Sequence, residues 1–172
     1  VIRILPAGPN HVDGIVRVCT EGNRATYAGI YPEHYIEEII EQFYTPARIL
    51  DEVIPSGREW GGYMVAIEGD EVIGACGGGM VDKTETELYV LYLDPSRRKE
   101  GIGTMLLDTF TKQQIDLYGA TKQWVSVQEG NDKGVPFYEA RGFIFSHKEP
   151  GYGSEEAKKY TSLRYWRDLV QK

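Results

Sequence analysis

The order of elements along the chain predicts a mixed α/β fold, a central sheet with helices on both faces. Three observations carry it. Up to about residue 54, apolar residues recur every three or four positions, the period of helices with one buried face. From Trp60 the period falls to two, in two runs flanking Glu68-Gly69-Asp70-Glu71, the pattern of a β-hairpin. Beyond Glu87, short apolar runs alternate with helical stretches, as strand–helix–strand units do.

Ile2 to Leu5 reads as a first strand, ended by Pro6. Asn10 is placed to cap a helix over 11–20 with Val12, Ile15, Val16 and Cys19 on its apolar face, and Gly22-Asn23 is expected to stop it. Residues 24–31 read as a polar and aromatic connection. Pro32 opens a second helix with the stripe Ile36, Ile39, Ile40 and Phe43, leaving Glu37, Glu38 and Glu41 for solvent. Pro46 opens a third helical piece over 47–54. The hairpin pairs 63–67 with 72–76, and its second strand thins to Gly77-Gly78-Gly79, which implies a bulge or a close backbone approach. A central strand over 88–93 ends at Asp94-Pro95.

The helix from Gly101 to about Leu117 carries Ile102, Leu106, Phe110, Gln113 and Leu117 at the period of one buried face, all but Gln113 apolar, and stops near Gly119. Trp124 to Val127 is the next strand. Asn131-Asp132 caps a helix through Phe137-Tyr138-Glu139 that ends at Gly142, although Pro136 requires that helix to start late or irregularly. Strands over 143–145 and 160–166 close the sheet, the last of them expected at an edge, where it would offer a surface for a homodimer. No repeat, low-complexity tract or linker divides the chain, so residues 1–172 read as a single domain.

The stretch from Glu87 to Leu107 is the functional centre of this reading. A strand runs into the basic turn Arg97-Arg98-Lys99, and Gly101 and Gly103 open a helix. A helix start leaves backbone N–H groups without partners and carries about half a positive charge. Glycine lets those groups approach a ligand closely. Strand end, basic turn and helix start together make a receptor for phosphate or diphosphate.

Composition narrows the ligand. The 172 residues carry a net charge of −7 and a pI near 5.0, which argues against a nucleic-acid partner, whose phosphates must be neutralised. A basic turn in an acidic protein suits one small anion, and the acidic surface favours cationic amines. Cys19 and Cys76 lack metal spacing, as do His11, His34 and His147, and no G-x-S-x-G elbow occurs. No metal and no membrane partner are expected, and the expected compartment is the cytoplasm. Gly101-x-Gly103 lacks the third glycine and the following acid of a dinucleotide fold.

Arg98-x-x-Gly101-x-Gly103 after an apolar strand resembles the pyrophosphate signature of the GNAT superfamily of acetyl-CoA-dependent N-acetyltransferases. A second block, Asn131 with Phe137-Tyr138 and Gly142-Phe143, resembles the same family, and the two blocks stand in family order. The resemblance covers the C-terminal half most closely. It implies a mostly antiparallel central sheet splayed between two strands. It also implies acetyl-CoA as co-substrate, with diphosphate on the backbone of residues 98–104 (Arg98, Lys99, Gly101, Ile102, Gly103, Thr104) and pantetheine on the main chain of Leu91 and Leu93. Asn131 belongs to the same cofactor set. Tyr138 is the implied acid for the departing thiol, and Glu87 the implied base. Alternation would set Glu87 beside Tyr89 and Leu91 unless a bulge intervenes.

A lysine-like amine with a pKa near 10.4 is free base in on the order of one molecule in two thousand at pH 7, which is why such chemistry uses a proton acceptor. Tyr27, Tyr31, Tyr35 and Trp60 fall on the acceptor side by resemblance. Three readings stay open: a small amine or polyamine acetyltransferase, a protein or peptide acetyltransferase, and a non-catalytic CoA-binding module. A cysteine relay through Cys76 is a further variant.

Overall fold

The computed structural model describes residues 1–169. Strands β1 (Ile2–Pro6), β2 (Tyr63–Glu68), β3 (Glu71–Met80), β4 (Glu85–Leu93), β5 (Lys122–Gln128), β6 (Ile144–Pro150) and β7 (Thr161–Asp168) form one sheet in the order β1-β2-β3-β4-β5-β7-β6. Every neighbouring pair is antiparallel except β4 and β5, which run parallel. Helices α1 (Val12–Tyr27), α2 (Glu33–Phe43) and α3 (Pro46–Glu52) precede the hairpin, α4 (Ile102–Tyr118) links β4 to β5, and α5 (Gly134–Glu139) follows β5.

Two apolar layers sandwich the sheet. On one face Ile102, Leu106, Leu107 and Phe110 of α4 pack on Met64, Ile73, Leu88, Val125 and Tyr165. On the other, Val12, Ile15, Val18 and Cys19 of α1, with Ile49 of α3, pack on Val65, Ile67, Val72 and Ala75. Under α4 the buried polar groups are paired: Thr86 donates to Gln114 Oε1 (2.8 Å), and Gln123 donates to Thr111 (2.9 Å). Among the described residues no helix is long and apolar enough to cross a membrane, and no cluster of metal-ligating side chains occurs.

Four expectations need correction. First, α1 runs on to Tyr27 through Gly22-Asn23. Gly22 is a packing site, since a Cβ there would come within 2.9 Å of the Tyr92 ring, and Asn23 satisfies itself by donating to the Cys19 carbonyl (2.8 Å). A buried glycine at helical spacing therefore reads as close approach and not as a stop. Second, the last strand is not an edge. β7 lies between β5 and β6, and the exposed edge is β6, with Ile144 and Phe145 about half exposed. Third, Asn10 caps nothing: α1 begins after a short 3₁₀ turn over Pro9–His11, and the Gly8 N–H donates to His11 Nδ1 (3.0 Å). Fourth, Leu117 is exposed, and the buried face of α4 ends at Gln114, whose amide is paired with Thr86.

Candidate active site

A skipped residue in the sheet opens the cleft. Gly77 faces Val90 and Gly78 faces Leu88, so Tyr89 is an extra residue on β4. Such a bulge bends its strand and increases its twist. On the other side, β4 and β5 stay paired only from Glu85↔Lys122 to Leu88↔Val125. Beyond that point the two strands part, and a cleft of about 460 Å³ opens between them, walled by residues 88–93, 126–128 and the end of α1.

The bulge also reassigns faces. Leu88, Leu91 and Leu93 pack towards α4, whereas Val90 and Tyr92 pack towards α1. Glu87, one residue before Leu88, therefore shares the face of Val90 and Tyr92, and simple alternation with Leu91 fails. Both its carboxylate oxygens accept from Arg164 (2.6 and 3.0 Å), and the same guanidinium donates to Ser126 (2.5 Å) on the cleft wall. Leu91 and Leu93 bury their side chains against α4 while lining the cleft.

At the far end of the cleft lies the turn from β4 to α4. Asp94 accepts from the Ser96 N–H (2.9 Å) and hydroxyl (2.8 Å) and pairs with Arg17 of α1 (3.3 Å). These contacts, Ser96 first, hold its carboxyl below the ordinary aspartate range. Lys99 (φ 63°) and Gly101 (φ 78°) both adopt the left-handed conformation. Left-handed residues in such a turn make a concavity of amides that suits an anion. The first helical bond of α4 is Met105 N–H to the Gly101 carbonyl (3.0 Å), and the amides of residues 98–104 have no acceptor among the described residues. Arg98 and Gly103 face the cleft. Arg97 does not contribute free charge, because Glu68 (2.8 Å) and Glu100 (2.8 Å) neutralise it.

Helix α5 forms the opposite lip. It starts at Gly134, so Pro136 sits in the first turn, where no backbone donor is required. Asn131 Oδ1 accepts from Gly134 N–H (3.0 Å), which fixes this start, and the residue also borders the cleft. Phe137 packs against Gly103, where a Cβ would come within 3.1 Å of its ring. Tyr138 is wedged edge-on between Phe137 (5.1 Å) and Phe143 (5.3 Å) and reaches the cleft. Burial pushes its phenol well above the ordinary value, so the hydroxyl stays protonated.

The acceptor-side aromatics separate. Tyr27 lines the cleft and its hydroxyl meets that of Tyr92 (3.4 Å). Tyr31 donates to Gln128 Oε1 (2.6 Å), stacks on Tyr27 (4.7 Å) and meets Tyr160 edge-on (4.7 Å). Tyr35 stacks on Tyr160 (5.6 Å), and His34 reaches Glu156 (3.2 Å). The β6–β7 loop is thereby fastened to α2 across this side of the cleft. Trp60 is elsewhere: it donates to the Glu52 carbonyl (2.8 Å) and packs on Tyr63.

Sequence reasoning missed the contribution of α1, whose residues Gly22, Ala25, Thr26 and Tyr27 form one wall. The signal was present, since 12, 15, 19, 22 and 26 continue a three-four spacing through the glycine. Cys76 is fully buried and its thiol is pushed up to about 12 by desolvation, so no thiolate is available for a relay. Cys76→Ala is expected to keep kcat/KM within about threefold of the parent protein, and acetyl-CoA alone should leave no covalent acetyl group detectable by mass spectrometry.

Comparison with known proteins agrees with this geometry. The chain is 28% identical over 143 residues to a spermidine N(1)-acetyltransferase of Thermoplasma acidophilum, covering 83% of this chain and 88% of that protein. Its fold superposes on the PaiA N-acetyltransferase of the same organism, solved in complex with coenzyme A, with a TM-score of 0.82 and 26% identity over 98% of this chain and 99% of the other. Ard1 from Thermoplasma volcanium shares the fold (TM-score 0.73, 22% identity, 99% of each chain). The model of the GNAT acetyltransferase family matches residues 22–143, a span that holds the bulged strand, the amide cradle and α5, and on that match the chain belongs to the GNAT family of acetyltransferases.

Proposed function

We propose that the protein moves the acetyl group of acetyl-CoA to a primary amine of a small cationic molecule, with a polyamine as the substrate class, by direct attack while donor and acceptor are bound together. The observation that carries this reading is the set of amides at residues 98–104 without an acceptor among the described residues, in a turn whose Arg98 and Gly103 line the cleft between the parted strands, with Tyr138 at its lip. Acetyl-CoA supplies an acetyl group activated as a thioester.

The amides of Arg98, Lys99, Gly101, Ile102, Gly103 and Thr104 would hold its diphosphate, with Arg98 and Lys99 adding charge. The main chain of Leu91 and Leu93, lacking a strand partner on the β5 side, would hold the pantetheine arm. Asn131 would border that arm from the other lip. Tyr138 gives its proton to the departing sulfur, whose conjugate acid has a pKa near 8.5.

The acceptor class rests on two supports. The relative just described acts on spermidine by its name. The chain's net charge of −7 favours a polycation. Release of free thiol from acetyl-CoA, measured with polyamines, single amino acids, aminoglycosides and short peptides, tests the reading. Turnover with spermidine or spermine at least tenfold above the peptides is expected, and turnover with peptides alone would replace it by the protein-acetyltransferase reading.

Glu87 serves in this scheme as the carboxylate that takes the amine proton through water. Because Arg164 occupies both of its oxygens, its share is smaller than that of Tyr138. Glu87→Gln is expected to lower kcat about tenfold at pH 7, with the deficit shrinking as pH approaches the pKa of the amine, near 10.4. A deficit that stayed constant with pH would remove Glu87 from the proton path.

A further inference from the structure

We propose that the Tyr27 phenol oxygen receives the acceptor amine, and that Tyr92 and Asn23 are positioning residues that turn its hydrogen away from the cleft. The inference deepens the functional reading given above and rests on it.

Tyr27, the last residue of α1, lines the cleft together with Tyr92 of β4 and Tyr138. A chain of hydrogen bonds runs from it into the core. Asn23 is 1% exposed, and its Nδ2 donates to the Cys19 carbonyl (2.8 Å), which identifies Oδ1 as the acceptor end of the amide. Tyr92 donates to that Oδ1 (3.3 Å). A buried Oδ1 left without a donor is unfavourable, which fixes the direction of this bond. A phenol has a single hydrogen, so the contact between the Tyr92 and Tyr27 hydroxyls (3.4 Å) is made with Tyr27 as the donor. The Tyr44 hydroxyl adjoins Asn23 and Tyr92 as well, and the second lone pair of the Tyr92 oxygen accommodates it. Burial raises the phenols of Tyr27 and Tyr92, so both keep their hydrogens through the working range.

This polarity matters to the reaction. With its hydrogen committed to Tyr92, the Tyr27 oxygen offers only lone pairs to the cleft. An ammonium or an amine has N–H groups to give to such an acceptor. A hydroxyl with its hydrogen facing the cleft would instead donate to the nitrogen lone pair, the electrons that must attack the thioester carbonyl. Gln128 Oε1 and Ser126 Oγ, on the same cleft, already accept from Tyr31 and Arg164. The Tyr138 phenol is near enough to feel the charge of Tyr27, which sets the amine beside the group that protonates the departing sulfur. The amine proton still leaves through water to Glu87, and Tyr27 holds one N–H while it does so.

The test measures kcat and KM for spermidine by thiol release, and CoA affinity by calorimetry, for Tyr27→Phe, Tyr92→Phe, the double variant Y27F/Y92F and Tyr44→Phe. A hydrogen bond to a charged group corresponds to about tenfold in binding. Tyr27→Phe should raise the spermidine KM about tenfold and keep CoA affinity within about twofold. Tyr92→Phe frees the Tyr27 hydrogen and should lower kcat severalfold. That effect needs the Tyr27 hydroxyl, so the double variant should match Tyr27→Phe. Tyr44→Phe keeps both bonds of the chain and should leave spermidine kinetics within about twofold of the parent protein.

An unchanged spermidine KM in Tyr27→Phe would overturn the inference. That single variant decides the matter even if Tyr92→Phe, which strips Asn23 of its donor, fails to fold. Losses that multiply in the double variant, or a loss in Tyr44→Phe as large as in Tyr92→Phe, would show that these phenols act through packing alone and overturn it too. Each of those results leaves the functional reading standing, because the parent protein still turns over spermidine. A parent protein that binds CoA and acetylates no amine would overturn both.

Discussion

Tyr138→Phe is expected to lower kcat by about two orders of magnitude and to leave CoA affinity within about twofold. Proton transfer by a positioned side chain is worth roughly 10²–10⁴ in rate, and a phenol held only by ring contacts loses nothing structural when its oxygen is removed. The hydroxyl has no hydrogen-bond partner among the described residues, so its deletion leaves no orphaned group behind. The pH dependence sharpens the expectation. Burial raises the phenol's pKa, so the acid form persists through the working range and no falling limb from Tyr138 should appear up to about pH 10. The rising limb belongs to the acceptor amine and should survive in the variant. A kcat within threefold of the parent protein, with the profile unchanged, would show that the thiolate leaves without help from this residue.

The cradle and the phenol were legible because each rests on local chemistry. Gly101 and Gly103 after a basic turn announce free amides at a helix start, and Phe137-Tyr138 precedes a glycine, Gly142 (φ 90°), in the turn that follows its helix. The bulge was legible only as a glycine tract. Which strand gained the extra residue, and hence which face Glu87 takes, depends on pairing between β3 and β4, and no property of residues 85–93 alone records it. The same limit hid the partner of Glu87. Arg164 is 77 residues away, and only the insertion of β7 between β5 and β6 brings it alongside. Pairings across a sheet order that departs from chain order stay out of reach of periodicity, as the misplacement of β7 at the edge shows.

Gly78→Val should be strongly destabilising and should close the cleft as well. Gly78 faces Leu88 at the point where β4 bulges, and a Cβ there would lie 2.1 Å from the Glu87 carbonyl oxygen, 2.8 Å from Phe110 Cζ and 3.0 Å from Leu88 Cα. Two of those atoms are backbone, so no side-chain rotation relieves the clash. Overpacking of this kind costs about 3 kcal/mol, and for a chain of this size each kcal/mol lowers Tm by about 2–4 °C. A fall of about 6–12 °C is therefore expected for Gly78→Val, a smaller one for Gly78→Ala, and almost none for Leu117→Ala on the exposed face of α4. The functional consequence separates this from an ordinary core defect. Relief requires β3 and β4 to shift apart or β4 to lose its bulge, and either movement changes the spacing between β4 and β5 where the pantetheine arm would lie. At a temperature where Gly78→Val remains folded by circular dichroism, CoA should bind it at least tenfold more weakly than the parent protein. A variant that melts lower yet binds CoA with full affinity would mean that the glycine serves packing alone and that the parting of the strands is held by something other than the bulge.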